Sequence, residues 1–446
     1  MSYFTGLVLK LNMMKGLPTR CKSSGDYVGL VIPPCGDFAC ESPSSSKQSP
    51  WLSFASVSSM TELSLHDEIS KFLEYMEPTT TERNIRENVI KRFTELVSSF
   101  GMDATVHPFG SYVTGLHLPT SDIDMAVTFE GDSSRFSIYG SKHDLKEIMY
   151  KIQESGFASK VEDILRASVP LVRITDKITG IEIDLTCADH HGIESTKAVQ
   201  KWMKSDTEVI KMLVMVVKMF LSIRRCGTTY TGGINSYVLV WMVVAWVNLE
   251  WKEPPSNPQG SSESPSSSQE HVDDLDPYEF LLESLRVEFE DFEFSVPKRI
   301  IPTSKAPEAP LKETILPVAD IDFGEILMKF LDFYGNKFDY LRRAIYIEPR
   351  LCYAAKTRLF ARPSKYLFTQ HHLLSIYDPA DASMFIDMGE KAYGIKHVQA
   401  TFKQAHQLLV DRLTDRVTSQ SILGELLGGD FTKFEEKRTK LNSRKF

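Results

Sequence analysis

The chain lacks any closely spaced pair of cysteines. Its six, Cys21, Cys35, Cys40, Cys187, Cys226 and Cys352, are scattered without CxxC spacing. That argues against a zinc site and a disulfide framework, and points to a reducing compartment. Long apolar runs are also missing. The longest, such as Tyr237 to Val247, are too short to span a bilayer, so no membrane segment is expected. Nor is there an excess of positive charge: 51 Lys and Arg against 59 Asp and Glu leave a formal charge of −8. A dedicated high-affinity duplex binder is usually basic. No internal repeat is visible.

What is present is enough apolar material, 42% of 446 residues, for two sizeable cores with some disordered segments. The most informative stretch is Pro108-Phe109-Gly110-Ser111 followed by Ser121-Asp122-Ile123-Asp124-Met125-Ala126-Val127. It reads as a glycine turn carrying a hydroxyl, then a strand carrying two acids. Ile123, Met125 and Val127 alternate with Asp122 and Asp124, so both carboxylates lie on one face of the strand. Crowded carboxylates repel unless a cation sits between them, and hard divalent metals suit that donor set. The Gly110-Ser111 turn can bring backbone N–H groups and a hydroxyl up to phosphate oxygens. A third acid is expected in Gly180-Ile181-Glu182-Ile183-Asp184-Leu185-Thr186, where Glu182 and Asp184 share the polar face of another strand. The preceding Pro170 to Lys177 is also strand-like, and the resulting hairpin presents Asp184 beside Asp122 and Asp124. Taken singly, the Asp-x-Asp also fits a solvated sheet face, and Gly-Ser fits an ordinary turn.

Helical periodicity predicts helices over 62–76, 80–100 (capped by Thr80 or Thr81 and stopped at Gly101), 142–155 and 194–226, and from Tyr237 to Leu249 behind an Asn235 cap. Further helices are expected over 321–334 and 395–412. Strands are expected near 103–109, 122–129, 171–175 and 181–187. The run from Glu208 to Leu221 is apolar almost all round and reads as a buried helix interrupted by Lys218. That lysine either snorkels outward along its stem or reaches a ligand. Tyr237 fits a core aromatic, and Asp378 before Pro379 fits a turn cap. Residues 42–60, 253–276 and 295–314 are rich in Pro, Ser or Glu and are expected to be loops or disordered. Residues 278–292 are acidic and aromatic, and suit a packed helix or a docking element. The first 25 residues carry only basic charges; the reading is a poorly ordered N-terminus or a mitochondrial transit peptide.

The order of these pieces resembles the polymerase-beta-like nucleotidyltransferase superfamily. The closest branch is the non-canonical poly(A) polymerases and their terminal uridylyltransferase relatives. The matching words are His107 to Ser111, Gly115 to Asp124, Val169 to Val172, Thr179 to Asp184, Thr231 to Tyr237, Phe330 to Gly335, and Asp378-Pro379. The resemblance covers roughly residues 65–412. It implies an α+β fold: a mixed catalytic sheet with helices, joined to a mostly helical domain. The expected division is a disordered 1–60; a catalytic domain over 61–192, whose 61–100 helices can pack on the other half; a helical central domain over 193–412 with a poly(A)-polymerase-associated segment at 321–394; and a basic tail at 413–446. That tail suits a nuclear signal, an RNA-contacting arm or a merely solvated end.

The resemblance also implies roles. Asp122, Asp124 and Asp184 hold two Mg2+ (or Mn2+) ions and are the catalytic residues. Gly110, Ser111, Lys218 and Ser236 contact the triphosphate of ATP, Tyr237 stacks on the base, and Asp378 and Asp381 read its edge. Related uridylyltransferases select uracil with a late-loop histidine. Here its place is taken by Met384 or Ile386, which favours ATP over the uridylyltransferase alternative. The chain departs from the pattern elsewhere. The ribose-contacting asparagine appears as Ala188 beside Asp189, the late arginine is Glu390, and the second basic residue one turn after Lys218 is Ser222, leaving Arg224 or Arg225 as substitutes. The implied substrate is an RNA 3′ end, with a zinc-knuckle RNA-binding protein and an RNA helicase as partners. The nucleus is the expected compartment, with cytoplasm and mitochondrion as alternatives. The reading from another class is a catalytically silent RNA-binding scaffold.

Overall fold

The computed structural model describes residues 29–39, 49–52, 63–129, 138–167, 169–187, 191–204, 206–252, 321–356, 372–380, 386–415 and 421–443. Two helices precede the sheet. α1 (Leu65–Met76) and α2 (Thr80–Ser98) each begin with a reciprocal capping box, Ser64 with Asp67 and Thr79 with Glu82. The cap of α2 is therefore one residue earlier than Thr80. β1 (Ala104–Pro108) leads through the short helix α3 (Gly110–Thr114) to β2 (Ile123–Phe129). Then come α4 (Ile138–Ser155), β3 (Ala158–Ile164), β4 (Leu171–Asp176) and β5 (Glu182–Cys187).

The five strands form one mixed sheet in the order β1-β2-β5-β4-β3. β2 and β5 are parallel and the other pairs antiparallel. Four strands match the pattern read from the sequence. The fifth, β3, was not expected: Lys160, Glu162 and Asp163 break its apolar alternation, as suits an edge strand with little to bury. Ile123, Met125, Val127, Ile183 and Leu185 make a core with Val89 and Phe93 of α2 and with Ile148 and Ile152 of α4.

The second half is helical: α5 (His191–Met203), α6 (Thr207–Ile223), α7 (Ser236–Trp246), α8 (Phe323–Asp332) and α9 (Ile395–Asp415). A hairpin of β6 (Arg343–Tyr346) and β7 (Cys352–Ala355) lies between α8 and α9. The expected single helix over 194–226 is two helices. Asp206 leaves helical backbone geometry, and its carboxylate pairs with Lys252. α6 and α7 are buried nearly all round, as their composition dictates. The 61–100 helices divide: α1 packs in the helical core and α2 on the sheet.

Both ends of the chain are more structured than expected. Within the stretch expected to be disordered, Trp51 and Leu52 are buried, and the Trp51 ring meets Phe72 and Phe431 edge-on at 5.2 and 5.3 Å. The basic tail contains α10 (Ile422–Leu427) and α11 (Thr432–Asn442). Arg438 of α11 is docked on Glu82 of α2 at 2.7 Å rather than solvated. The 253–276, 278–292 and 295–314 segments lie outside the described residues. Among the described residues no helix is long and apolar enough to cross a membrane.

Candidate active site

The sheet register brings the acids together. Asp124 on β2 lies opposite Asp184 on the parallel β5, and Asp122, two residues before Asp124, shares its face. Glu182 shares the face of Asp184 but sits exposed where β5 begins. Gly110 has φ +70°, and a Cβ there would lie 2.5 Å from Asp124 Oδ2. Only glycine allows the turn to press against that carboxylate. The Gly110 N–H donates to Thr196 Oγ1 at 2.8 Å. The turn is thereby tied to α5, and that N–H is already engaged rather than offered to a phosphate.

Crowding shows in the electrostatics. Burial and the neighbouring Asp122 and Asp184 push the Asp124 carboxyl up to about 7. Burial and Asp184 also raise Asp122, against the pull of Arg173 and Lys218. Lys218 turns toward this cluster rather than snorkelling outward. Its Nζ donates to Leu116 O at 2.9 Å. Burial brings its pKa down to about 8, opposed by Asp122 and Asp124.

Arg173 was not anticipated. It stands opposite Asp184 on β4, and its guanidinium grips that carboxylate with two hydrogen bonds, at 2.8 and 2.7 Å. It also lies 3.9 Å from Asp122 and 4.0 Å from Glu182. Its alternation with Val172 and Ile174 was a usable signal, since it places Arg173 on the acid-bearing face of the same hairpin. Among the described residues no three acidic, histidine or cysteine side chains converge closely enough to hold one metal. Arg173 instead stands between Asp184 and Asp122 as the cation of the cluster. The donor chemistry still suits a divalent cation: hard oxygens, with the half-buried Asp122 and Asp124 raised in pKa by desolvation and by the neighbouring acids.

Asp122, Asp124 and Lys218 face a cavity of about 1240 Å³ between the sheet and the helical half, and Asp184 and Arg173 stand behind its lining. Gly110, Ser111, Asp122, Asp124 and Lys218 line it, and so do Ser236, Tyr237, Asp378, Ile386 and Glu390. Asn235 caps α7 as expected, its side chain accepting from Val238 N. Asp378 is buried and its carboxylate is occupied: Oδ1 accepts from the Tyr237 hydroxyl and the Ala380 N–H, each at 2.9 Å, and Oδ2 lies 2.8 Å from His191 Nε2. It is therefore not placed to read a base edge directly. His191 also lines the cavity, and nothing in its local sequence marked it.

One expectation is corrected. Arg224 and Arg225 do not line the cavity. The Arg224 guanidinium donates to the Leu426 and Leu427 carbonyls, and the Arg225 side chain lies against Gly36. Asp381, Met384, Ala188 and Asp189 lie outside the described residues.

Comparison with known proteins agrees with this architecture. Residues 65–204 match the model for the central palm domain of mitochondrial-like poly(A) RNA polymerases, and residues 322–384 match the Cid1 family poly A polymerase model. Poly(A) RNA polymerase cid14 of Schizosaccharomyces pombe is 25% identical over 369 residues, covering 82% of this chain and 44% of that protein. Poly(A) RNA polymerase protein 2 of Saccharomyces cerevisiae is 27% identical over 396 residues, covering 87% and 55%. A Drosophila melanogaster relative described as the inactive non-canonical poly(A) RNA polymerase protein Trf4-2 is 27% identical over 367 residues, covering 81% and 72%. The chain thus spans about half the length of the two yeast relatives. Among solved structures, the polymerase core of TRAMP, an RNA surveillance complex, superposes with a TM-score of 0.59 at 25% identity, covering 85% of this chain and 99% of that one. Sheet, helical half and matched segments agree: the chain is similar to the non-canonical poly(A) polymerases, on the polymerase-beta-like nucleotidyltransferase fold.

Proposed function

We propose that this chain extends RNA 3′ ends without a template, adding AMP from ATP. The observation that carries the reading is the pair Asp122 and Asp124 at the wall of a cavity that Ser111 and Lys218 also line, with Asp184 in register beside Asp124 on the neighbouring strand. Asp122, Asp124 and Asp184 are the residues that would hold divalent metal. Metal bound there would lower the pKa of the attacking 3′-hydroxyl and offset charge on the triphosphate. The Arg173 fork occupies one lone pair on each Asp184 oxygen and leaves the others for a metal. Asp184 then stands nearest the hydroxyl whose proton is lost. The 3′ oxygen bonds to the α-phosphorus, the α–β phosphoanhydride bond breaks, and pyrophosphate departs. Lys218 and Ser111 orient the triphosphate, Ser236 flanks it from α7, and Tyr237 supports the base. Catalysis is then mostly positioning and charge neutralisation.

The test is extension of an oligoadenylate primer with each of ATP, UTP, CTP and GTP in the presence of Mg2+ or Mn2+. Long tails with ATP alone support the reading, and preferential use of UTP replaces it with uridylyl transfer. A second reading, a silent scaffold, draws support from the Arg173 grip on Asp184 and from the relative described as inactive. No incorporation by wild type with any nucleotide or metal favours that reading. We extend the proposal to RNA surveillance in the nucleus beside a zinc-knuckle RNA-binding protein and a helicase. Imaging of the tagged chain and co-purification of such partners test this part.

A further inference from the structure

Asp378 joins three parts of the molecule that are far apart in sequence. Tyr237 comes from the first turn of α7, His191 from the first turn of α5, and Asp378 from the segment after the β6–β7 hairpin. One carboxylate oxygen, Oδ1, takes the Tyr237 hydroxyl and the Ala380 N–H, which fills its two lone pairs. The other, Oδ2, takes His191 Nε2 at 2.8 Å. With Nε2 donating, His191 Nδ1 faces the Ser195 hydroxyl 3.4 Å away, so the acid sets the orientation of the imidazole. The Asp378 side chain is 2% exposed and that of His191 41%. The acid is thus almost closed off from solvent, and all three side chains reach the cavity wall, His191 the more exposed of the ion pair. Tyr237 is held a second way, edge-on against Trp241 with ring centroids 5.7 Å apart.

The late segment, without histidine, offers Ile386 to the cavity. The one imidazole that the described residues bring to this wall comes from the other half of the molecule. We infer that His191 is a positioning residue for nucleotide choice: through Asp378 it fixes the Tyr237 ring, and with it the shape of the wall that meets the base. The inference rests on reading the cavity as a nucleotide site. Without His191, a carboxylate oxygen in a nearly closed space loses its donor. The Asp378 carboxylate is then held through Oδ1 alone, and the acceptor of the Tyr237 hydroxyl is less firmly fixed. A tie that served only to join α5 to the late segment would affect stability and leave nucleotide choice alone.

The experiment uses the full chain as wild type, His191→Ala, His191→Gln and Tyr237→Phe. Binding of non-hydrolysable ATP and UTP analogues is measured by calorimetry without RNA, and kcat and KM are measured by primer extension with ATP and with UTP. His191→Ala is expected to weaken ATP-analogue binding about tenfold and to change the ATP-to-UTP ratio of kcat/KM by a similar factor, mostly through KM. His191→Gln, whose side-chain amide can still donate to Asp378, stays within about threefold of wild type. Tyr237→Phe shifts the ratio in the same direction as His191→Ala. Unchanged analogue binding and an unchanged ratio in His191→Ala, with only a lower melting temperature, overturn the inference. So does a His191→Gln protein as defective as His191→Ala. If His191→Ala does not fold, an unchanged ratio in Tyr237→Phe overturns it. A wild type that extends no primer sinks the polymerase reading instead, and the analogue-binding comparison still decides the role of His191.

Discussion

Glu82 is a buried acid and Asp124 a half-buried one, and the fold treats them in opposite ways. Glu82 is fully enclosed, yet its carboxylate receives the Thr79 N–H at 2.8 Å, the Arg438 guanidinium at 2.7 Å and the Asn442 amide at 3.1 Å. Burial alone would raise its pKa, but Arg438 and these donors bring it below the ordinary value. Asp124 has two more acids for neighbours, and the nearby cations hydrogen-bond other groups, Lys218 a carbonyl and Arg173 Asp184, so their pull only partly offsets the crowding. Its carboxyl rises to about 7. Where a charge serves structure the protein neutralises it internally. At the cavity it leaves a deficit that a bound cation can fill.

The sharpest way to break that contrast is Asp124→Ala. Primer extension should fall by on the order of 10³-fold or more, while the melting temperature holds or rises because repulsion is relieved. Simultaneous unfolding would place Asp124 with the structural acids. Gly110→Ala comes next. The new methyl meets Asp124 Oδ2 in a left-handed backbone position. Strain of about 1–3 kcal/mol and a displaced carboxylate should lower both activity and melting temperature. Normal activity would show that the turn and the acid need not touch.

Arg438→Met tests the other side. It leaves Glu82 buried without its partner and should cost about 3 kcal/mol in urea unfolding at pH 7, with the nucleotide preference of the surviving fold unchanged. The folded pKa of Glu82 is depressed, so its contribution is present above the ordinary carboxylate value of 4.5 and is lost as pH falls through the lower folded value. The gap between wild type and Arg438→Met should therefore close on acidification through that range. A gap independent of pH would assign the loss to packing alone. Ser64→Ala, which removes the α1 capping box far from the cavity, should cost about 1 kcal/mol and leave extension unaffected.

The acids were legible because strand alternation and the glycine turn act locally. Asp122, Asp124 and Asp184 reach one face through periodicity and register, and both leave a trace in the sequence. Arg173 was equally legible by the same alternation and was overlooked because it carries the opposite charge. His191 and Asp378 were not legible as a pair. Their contact spans 187 positions and depends on how the helical half closes over the sheet. The basic tail misled for a related reason: composition records the charge of Arg438 but not the buried Glu82 waiting for it. β3 was missed because an edge strand buries too little to impose a pattern.

The tight bend between β4 and β5 sets a further limit on what this polypeptide tolerates. Asp176 accepts from the Thr179 N–H and hydroxyl and is gripped by Arg92 of α2, while Gly180 takes φ +72° to close the loop. The hairpin is thus nailed to a helix at its tip, and any added residue must be absorbed along the ladder. One extra residue within β5 would rotate Asp184 to the opposite side of the sheet while every backbone pairing could re-form. The apolar residues that alternate with Asp184 would turn out of the core with it, so a single added codon would cost both the third acid and the packing behind it.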